Sequence, residues 1–206
     1  MDINLTNSIN SPSFIDNFSK NHSENSATEQ LKIIHKNIKQ YMPFIERIAV
    51  VVYEEEHDLL KTLIYSDDNE ERILQFYQSK LSGSESLSKI AYSGASRVVN
   101  DLGIFERNNK THSRFIAERN YGASFTSPFY NEAKFAGLIF INSRDKNVFN
   151  ETNCNALSSF IPLISQIVYN EINRLNILHG SVSAALNYDH ETIRAMATNT
   201  QSHYAE

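Results

Sequence analysis

The chain has 206 residues, of which 41% are hydrophobic and 21% are charged, which is enough apolar material for one sizeable core. Its net charge of -5 comes without a cluster of Lys and Arg, so we expect no nucleic-acid partner. The single cysteine, Cys154, excludes a disulfide framework and a multi-cysteine metal site, and a cytoplasmic protein is predicted. No apolar stretch is long enough to predict a membrane span.

Three segments are predicted along the chain. Residues 1–25 are rich in Asn and Ser and lack the cationic start and apolar run of a signal peptide, so we expect a disordered segment. Residues 26–180 are predicted to form one domain, including its terminal helices. Residues 181–206 are predicted to be a helical extension or the start of a truncated output domain.

The first predicted element is an amphipathic helix. Apolar residues recur at spacings of three and four from Leu31 to Tyr41, as on the buried face of a helix. Ser26 and Glu29 stand in the relation of a capping box, and Pro43 ends the helix. A capped helix is therefore expected before the first strand.

A β-hairpin is predicted next. Residues 48–53 are apolar and mostly β-branched at successive positions, as in a strand covered on both faces. An acidic run at residues 54–58 separates them from a second strand at 59–65. Residues 72–81 fit a helix or a strand, and we favour a strand.

Short elements are predicted in the middle of the chain, because breaks by Gly and Asn come close together. In chain order they are a helix at 84–92 closed by Gly94, a strand at 97–100, a loop at 103–110 and a helical turn at 111–118.

Two long strands follow. Residues 122–130 alternate, so one face is expected to be core and the other a pocket wall. Residues 134–143 are largely apolar on both faces, which indicates helices on both sides of the sheet. The predicted core face carries Ala123, Phe125, Ser127 and Phe129, and the other face carries Ser124, Thr126, Pro128 and Tyr130.

A long helix is predicted from about residue 150, with Pro162 bending its early turns. Its apolar stripe is longer than a sheet can cover, which predicts a parallel homodimer through residues 24–42 and 151–178. Alternatively, the first helix and residues 181–200 cover the stripe within one chain. The stripe consists of Leu157, Ile164, Ile167, Leu175 and Leu178.

The middle of the chain also resembles a known family. The resemblance rests on residues 86–102 ending in RVVNDL, on residues 112–128 ending in YGASFTSP, and on GLIFINS at 137–143 followed by Phe149. In this order they resemble a GAF domain over residues 48–172, in particular those upstream of HD-GYP and other bacterial cyclic-dinucleotide signalling outputs. The resemblance implies an α+β fold. The implied fold comprises an antiparallel sheet of about six strands, with terminal helices on one face and a pocket roofed by loops on the other.

A sensor site for an unidentified small molecule is predicted in that pocket, because small-ligand recognition requires convergent polar groups in an apolar cleft. Each candidate also has a structural interpretation: Asp101 as a turn or cap residue, His112 as a helix residue, and the hydroxyls as ordinary strand residues. No cofactor is predicted, and the scattered histidines predict no metal. The candidate ligand-binding residues are Asp101, His112, Tyr121, Ser124 and Thr126.

Several activities of the family are not expected. Members that reduce free methionine sulfoxide use several cysteines, and bilin-binding members use a cysteine in the pocket, whereas Cys154 stands alone at the start of the last helix. The nearest match to a cyclic-nucleotide constellation is Asn147, Phe149 and Glu151. The alternative is that Phe149 closes the end of the sheet and Asn150 or Thr152 caps the helix.

Residues 188–192 resemble the entrance to an HD-GYP domain, and His190 beside Glu191 also resembles the phosphoacceptor helix of sensor kinases. The predicted function is a homodimeric sensor that passes its ligand state to an output domain, and it is not an enzyme. A dimerisation module without a ligand is the alternative. An enzyme is less favoured, because no nucleophile and base, metal or phosphate-loop motif is present.

Overall fold

The computed structural model describes residues 26–68, 78–105 and 120–175. Contacts divide the chain into two units, Met1–Ile167 and Val168–Glu206. Of the second unit, residues 168–175 are described, and they are helical. The predictions for residues 1–25, 72–77, 106–118 and 176–206 lie outside the described residues.

The described residues of the first unit form six strands and three α-helices, with further helical residues at 161–167. The same residues include 3-10 helices at Glu55–His57 and Leu102–Phe105. The elements are α1 (Ala27–Tyr41), β1 (Arg47–Glu54), β2 (Leu59–Asp67), β3 (Gln78–Lys80), α2 (Glu85–Ser93), β4 (Arg97–Val99), β5 (Ala123–Asn131), β6 (Lys134–Ser143) and α3 (Glu151–Ser158).

Helix α1 begins at the predicted cap. The Ser26 hydroxyl oxygen accepts a hydrogen bond from the backbone N–H of Glu29 at 3.3 Å. Leu31, Ile34 and Ile38 form its buried face and are fully covered. Both the helix and its apolar face are therefore confirmed.

His35 lies on the same face of α1 and links the helix to the sheet. Its Nε2 is 3.2 Å from the carbonyl oxygen of Ile45, and its Nδ1 is 2.8 Å from the hydroxyl oxygen of Ser66. Since the carbonyl only accepts, Nε2 donates to it and the neutral ring accepts from Ser66. Burial lowers the pKa of His35, which favours this neutral form.

The six strands form one antiparallel sheet in the order β3-β2-β1-β6-β5-β4. Strands β1 and β2 form the predicted hairpin, and β2 continues to Asp67. The short strand β3 supports the strand interpretation for residues 78–80. Ser84 caps the N-terminus of helix α2, and Gly94 closes its C-terminus in a left-handed conformation, as predicted.

Helices cover both faces of this sheet. On the α2 face, Val51, Leu138 and Phe140 pack in one cluster with Leu87 and Ile90 of α2. The opposite face, which we call the α1 face, contacts α1 through β1 and β2. The helix-on-both-sides prediction made from the apolar strands is confirmed.

The long C-terminal helix was predicted as one bent helix, and this was wrong. Helix α3 ends at Ser158, residues 159–160 form a turn, and helix resumes at residue 161. The turn is closed by bonds from Ser159 N–H to the Ala156 carbonyl and from Phe160 N–H to the Leu157 carbonyl. Because proline has no N–H to donate, Pro162 cannot continue the hydrogen bonds of α3, and it is tolerated in the first turn of the helix that begins at residue 161.

The predicted loop at 103–110 begins instead with the 3-10 helix Leu102–Phe105. Within the described ranges, no helix combines the length and the apolar character needed to cross a membrane. The same ranges contain no group of three His, Cys, Asp or Glu side chains that would hold a metal ion.

Candidate functional site

The α2 face of the sheet has an apolar half, under α2, and a polar half beyond it. In the polar half, Arg47 of β1 lies opposite Asn142 of β6, which lies opposite Ser124 of β5. Arg47 Nη1 donates to Asn142 Oδ1 at 3.0 Å, and Asn142 Nδ2 donates to the Ser124 hydroxyl oxygen at 3.1 Å. All three residues are 7% exposed or less. They form a buried hydrogen-bonded row across three strands.

A second row adjoins the first. Thr126 of β5 is 7% exposed and lies opposite Phe140 of β6 on one side and Arg97 of β4 on the other. Burial lowers the pKa of the Arg97 guanidinium, which nevertheless stays charged at neutral pH. We call the residues of the two rows that carry polar side chains the polar patch: Arg47, Asn142, Ser124, Thr126 and Arg97.

Tyr121 lies beside the polar patch. Its hydroxyl donates to Asp67 Oδ2 at 2.8 Å, and Asp67 lies opposite Arg47 in the pairing of β1 with β2. Three of the predicted site residues, Tyr121, Ser124 and Thr126, are therefore brought to one region of the α2 face. Their role in ligand binding stays a prediction.

Asp101 lies in the loop after β4 and is half-exposed. The Nζ atom of Lys146, 2.8 Å from Asp101 Oδ1, lowers the pKa of Asp101, and the backbone N–H of Gly103 lowers it further. These contacts are those of a turn residue, as in the structural interpretation of Asp101. His112 lies outside the described residues.

Arg47, Asn142 and Arg97 are absent from the sequence-based set. Each is a polar residue inside an apolar run or at its boundary, and this position was the only sequence signal that could have indicated a site residue. The signal does not say which strands are neighbours. Since β1 and β6 are far apart in the chain, the contact of Arg47 with Asn142 follows only from the strand order.

Phe149 belongs to the core. It is 3% exposed, and its ring centroid lies 6.2 Å from that of Phe125 and 6.4 Å from that of Phe44. The side chain of Asn100 accepts from Phe149 N–H at 3.0 Å and donates to its carbonyl at 3.1 Å. These two hydrogen bonds from the Asn100 side chain to the Phe149 backbone fix the loop before α3, which fits the structural interpretation of Phe149.

Asn150 and Cys154 lie at the start of α3. The Asn150 side-chain oxygen accepts from Asn153 N–H at 2.9 Å and so caps the helix, as one of the sequence alternatives proposed. Burial raises the pKa of the Cys154 thiol above its usual value, which disfavours the reactive thiolate.

No protein-family model matches the sequence, and no curated protein matches it either. Solved structures do match. The GAF domain of a phosphoenolpyruvate-protein phosphotransferase from Coxiella burnetii superposes with a TM-score of 0.59 at 11% identity, covering 84% of this chain and 99% of that one. This chain has a GAF fold.

Two further solved structures that are similar to this chain have names that describe different functions. A phycocyanobilin-bound GAF domain from a cyanobacterial phytochrome gives a TM-score of 0.57 at 10% identity, covering 85% of this chain and 98% of that one. A type II free methionine-R-sulfoxide reductase from Thermoplasma acidophilum gives 0.52 at 17% identity, covering 70% and 92%. The GAF fold therefore confirms the predicted fold class, while the link to HD-GYP outputs stays a prediction.

Proposed function

We propose that this GAF-fold chain is a regulatory sensor domain that binds a small molecule at the polar patch. The buried row of Arg47, Asn142 and Ser124 carries the proposal. Burying a guanidinium in a sheet is costly, and apolar residues of similar size would pack there at lower cost. Polar groups retained on the face beyond α2 are what recognition of a ligand requires.

The sensor proposal predicts that Thr126→Trp abolishes ligand binding. Thr126 is buried within the polar patch, so an indole at this position fills the space that a ligand would occupy. The measurement is a thermal-shift screen of metabolites on the native chain, followed by titration of each stabilising compound against the variant. We expect no saturable binding to the variant.

Two further variants are controls for the added indole and for the lost hydroxyl. Tyr92→Trp places the same indole on α2 at a position that is 89% exposed, and it should bind as the native chain does. Thr126→Val keeps the volume and removes only the hydroxyl. A compound that binds native chain and Thr126→Trp equally, or a screen without any stabilising compound, contradicts the proposal.

A homodimer through the terminal helices forms the second part of the proposal. Leu157, Ile164 and Ile167 are at most 1% exposed within the single chain, so they need no partner. Leu175, in the second unit, is 37% exposed. Leu178 lies outside the described residues. The proposed interface therefore rests on the distal part of the stripe, where the exposed Leu175 favours association.

We expect the native chain to be a dimer by light scattering and Leu175→Glu with Leu178→Glu to be a monomer. Burying two carboxylates at an apolar interface costs several times roughly 1.4 kcal/mol, and each 1.4 kcal/mol lowers the dimerisation constant tenfold. Asn173→Glu with Asn176→Glu is the charge-matched control and should stay dimeric. A monomeric native chain refutes the dimer, and a dimeric leucine variant places the interface elsewhere.

We also propose that the chain is not an enzyme. The presence of a free methionine-R-sulfoxide reductase among the similar structures makes that reaction the first to test. The raised pKa of Cys154 and the absence of any second cysteine argue against it. With free methionine-R-sulfoxide and dithiothreitol, we expect no product above the level of a Cys154→Ser control, and turnover lost in that control would refute the proposal.

A further inference from the structure

We propose that His35 makes the docking of helix α1 on the sheet depend on pH. The neutral imidazole holds α1 against β2, whereas the protonated imidazole weakens this contact, so that the helix separates more often from a sheet that stays folded. This inference goes beyond the proposed ligand sensing, because it concerns a proton and needs no ligand. It is carried by the position of an ionisable ring inside the buried contact between α1 and the sheet.

His35 lies in the middle of the buried face of α1. The ring is 3% exposed, and the residues one turn before and after it on this face, Leu31 and Ile38, are fully covered. A charge formed at this position is shielded from water. Protonation is therefore more costly in the docked helix than in the separated helix, where the ring is hydrated.

The hydrogen bonds of the ring suit its neutral form. Nε2 donates to the Ile45 carbonyl at 3.2 Å, and Nδ1 accepts from the Ser66 hydroxyl at 2.8 Å. A proton on Nδ1 would reverse the second bond, and the hydroxyl hydrogen of Ser66, a residue that is only 6% exposed, would lose this acceptor. The polar contact between α1 and β2 is therefore best satisfied with a neutral ring.

Charged groups of α1 and β2 face the ring as well. Burial lowers the pKa of His35, the bonded backbone carbonyl and the carboxylates of Asp68 and Asp67 raise it, and Lys39 of α1 lowers it; the net shift is downward. Lys39 is also paired with Asp68, which forms a second polar link between α1 and the end of β2. The docked helix therefore holds a neutral ring at neutral pH.

The charged groups at the junction of α1 and β1 are bonded to other parts of the sheet. Glu46 accepts from the backbone N–H of Arg144, and Arg47 donates to Asn142 on the α2 face. Both side chains are therefore already engaged when the ring is neutral.

The direction of the pH effect follows from proton binding in the two states. In a separated α1 the imidazole titrates near its ordinary pKa of about 6.5. The docked ring has a lower pKa, so below about pH 6.5 the separated state binds more protons and docking weakens as the pH falls. The loss is at most about tenfold per unit of pH, and it stops once the docked ring is protonated as well.

Helix α1 can separate without breaking the sheet. The six strands pair with one another, and α1 is joined to β1 through the short segment of residues 42–46. An element that packs on a sheet through its side chains opens at a lower free-energy cost than the central strands do.

The test is hydrogen exchange of the intact native chain without ligand, at about pH 7.5, 6.5 and 5.5, with each rate divided by its intrinsic rate at that pH. We expect the protection of the α1 amides to fall between about pH 6.5 and 5.5, by more than about twofold and up to about tenfold. The amides of β6, in the centre of the sheet, should keep their protection over the same range.

Two variants identify the titrating group. His35→Gln keeps one donor and one acceptor but does not titrate, so its α1 protection should not change with pH. His57→Gln is the matched control, since it removes an exposed imidazole from the turn between β1 and β2, and it should show the native response. An NMR titration of the His35 ring in the native chain gives its pKa without any variant, and we expect a value below the ordinary one.

Four results would overturn the inference. Half-protonation of His35 at or above about pH 6.5 would show that the docked helix does not favour the neutral ring. Unchanged α1 protection in the native chain would show that docking is not linked to a proton. Equal losses in α1 and β6 would show that the proton destabilises the whole domain. A response that persists in His35→Gln or disappears in His57→Gln would assign it to another group. None of these results bears on the sensor proposal.

Discussion

Gly137→Ala is expected to destabilise the domain by about 3 kcal/mol, the upper range for forcing atoms into a closely packed site. Gly137 lies in β6 between Val52 of β1 and Phe129 of β5. A Cβ atom here would overlap the carbonyl oxygen of Val51 and lie 2.7 Å from the Phe129 ring. Because the overlap involves backbone at the centre of the sheet, β1 and β6 must separate to relieve it.

The free energy of unfolding, measured by urea denaturation, tests this expectation. Gly83→Ala is the matched control, since its Cβ would lie 3.3 Å from the carbonyl oxygen of Lys80 in a turn at the end of the sheet. The control should cost less than about 1 kcal/mol, as most surface substitutions do. Equal losses in the two variants would contradict the close approach of β1 and β6 at Gly137.

Asn142→Leu is expected to cost about 2–3 kcal/mol, because the buried Arg47 guanidinium loses an acceptor that water cannot replace. Replacing both partners, as Arg47→Met with Asn142→Leu, should recover part of the loss, since an apolar pair leaves no buried charge. The free energies of unfolding of the two single variants and the double variant form a thermodynamic cycle. A coupling energy near zero would contradict the buried row.

Asn37→Leu provides the control for this cycle. Asn37 is a half-buried asparagine of α1 whose side chain donates to the carbonyl of Ile33, four residues earlier. The chemical change is the same, but no charge depends on the bond. We expect a change within about 0.5 kcal/mol, as for substitutions away from buried networks.

Local patterns were sufficient to predict most of the elements. The cap at Ser26, the hairpin of β1 and β2 and the alternation of β5 all depend on residues close in sequence. The same alternation correctly placed Ser124 and Thr126 on one face, because side chains of a strand alternate whatever its neighbours are. Sequence therefore predicted the wall of the candidate site from β5 alone.

The rest of the site depends on contacts between distant residues. Arg47 and Asn142 are separated by 95 positions, and only the pairing of β1 with β6 brings them together. The break at residues 159–160 was predicted only as a bend, for a different reason. Heptad spacing continues across it, so the apolar pattern favoured one helix, while the backbone requirement of Pro162 ended it.

The short strand β4 leaves part of β5 uncovered at the edge of the sheet. It has three residues and covers β5 only over residues 124–126. Beyond them β5 carries Pro128, which has no N–H to offer a foreign strand, and Tyr130, whose hydroxyl is held by the carbonyl of Ala91 at 2.8 Å. Along residues 127–130 of β5, an approaching strand therefore meets Pro128 and a tethered Tyr130, and these interrupt the continuous row of donors and acceptors that edge-to-edge pairing of sheets needs.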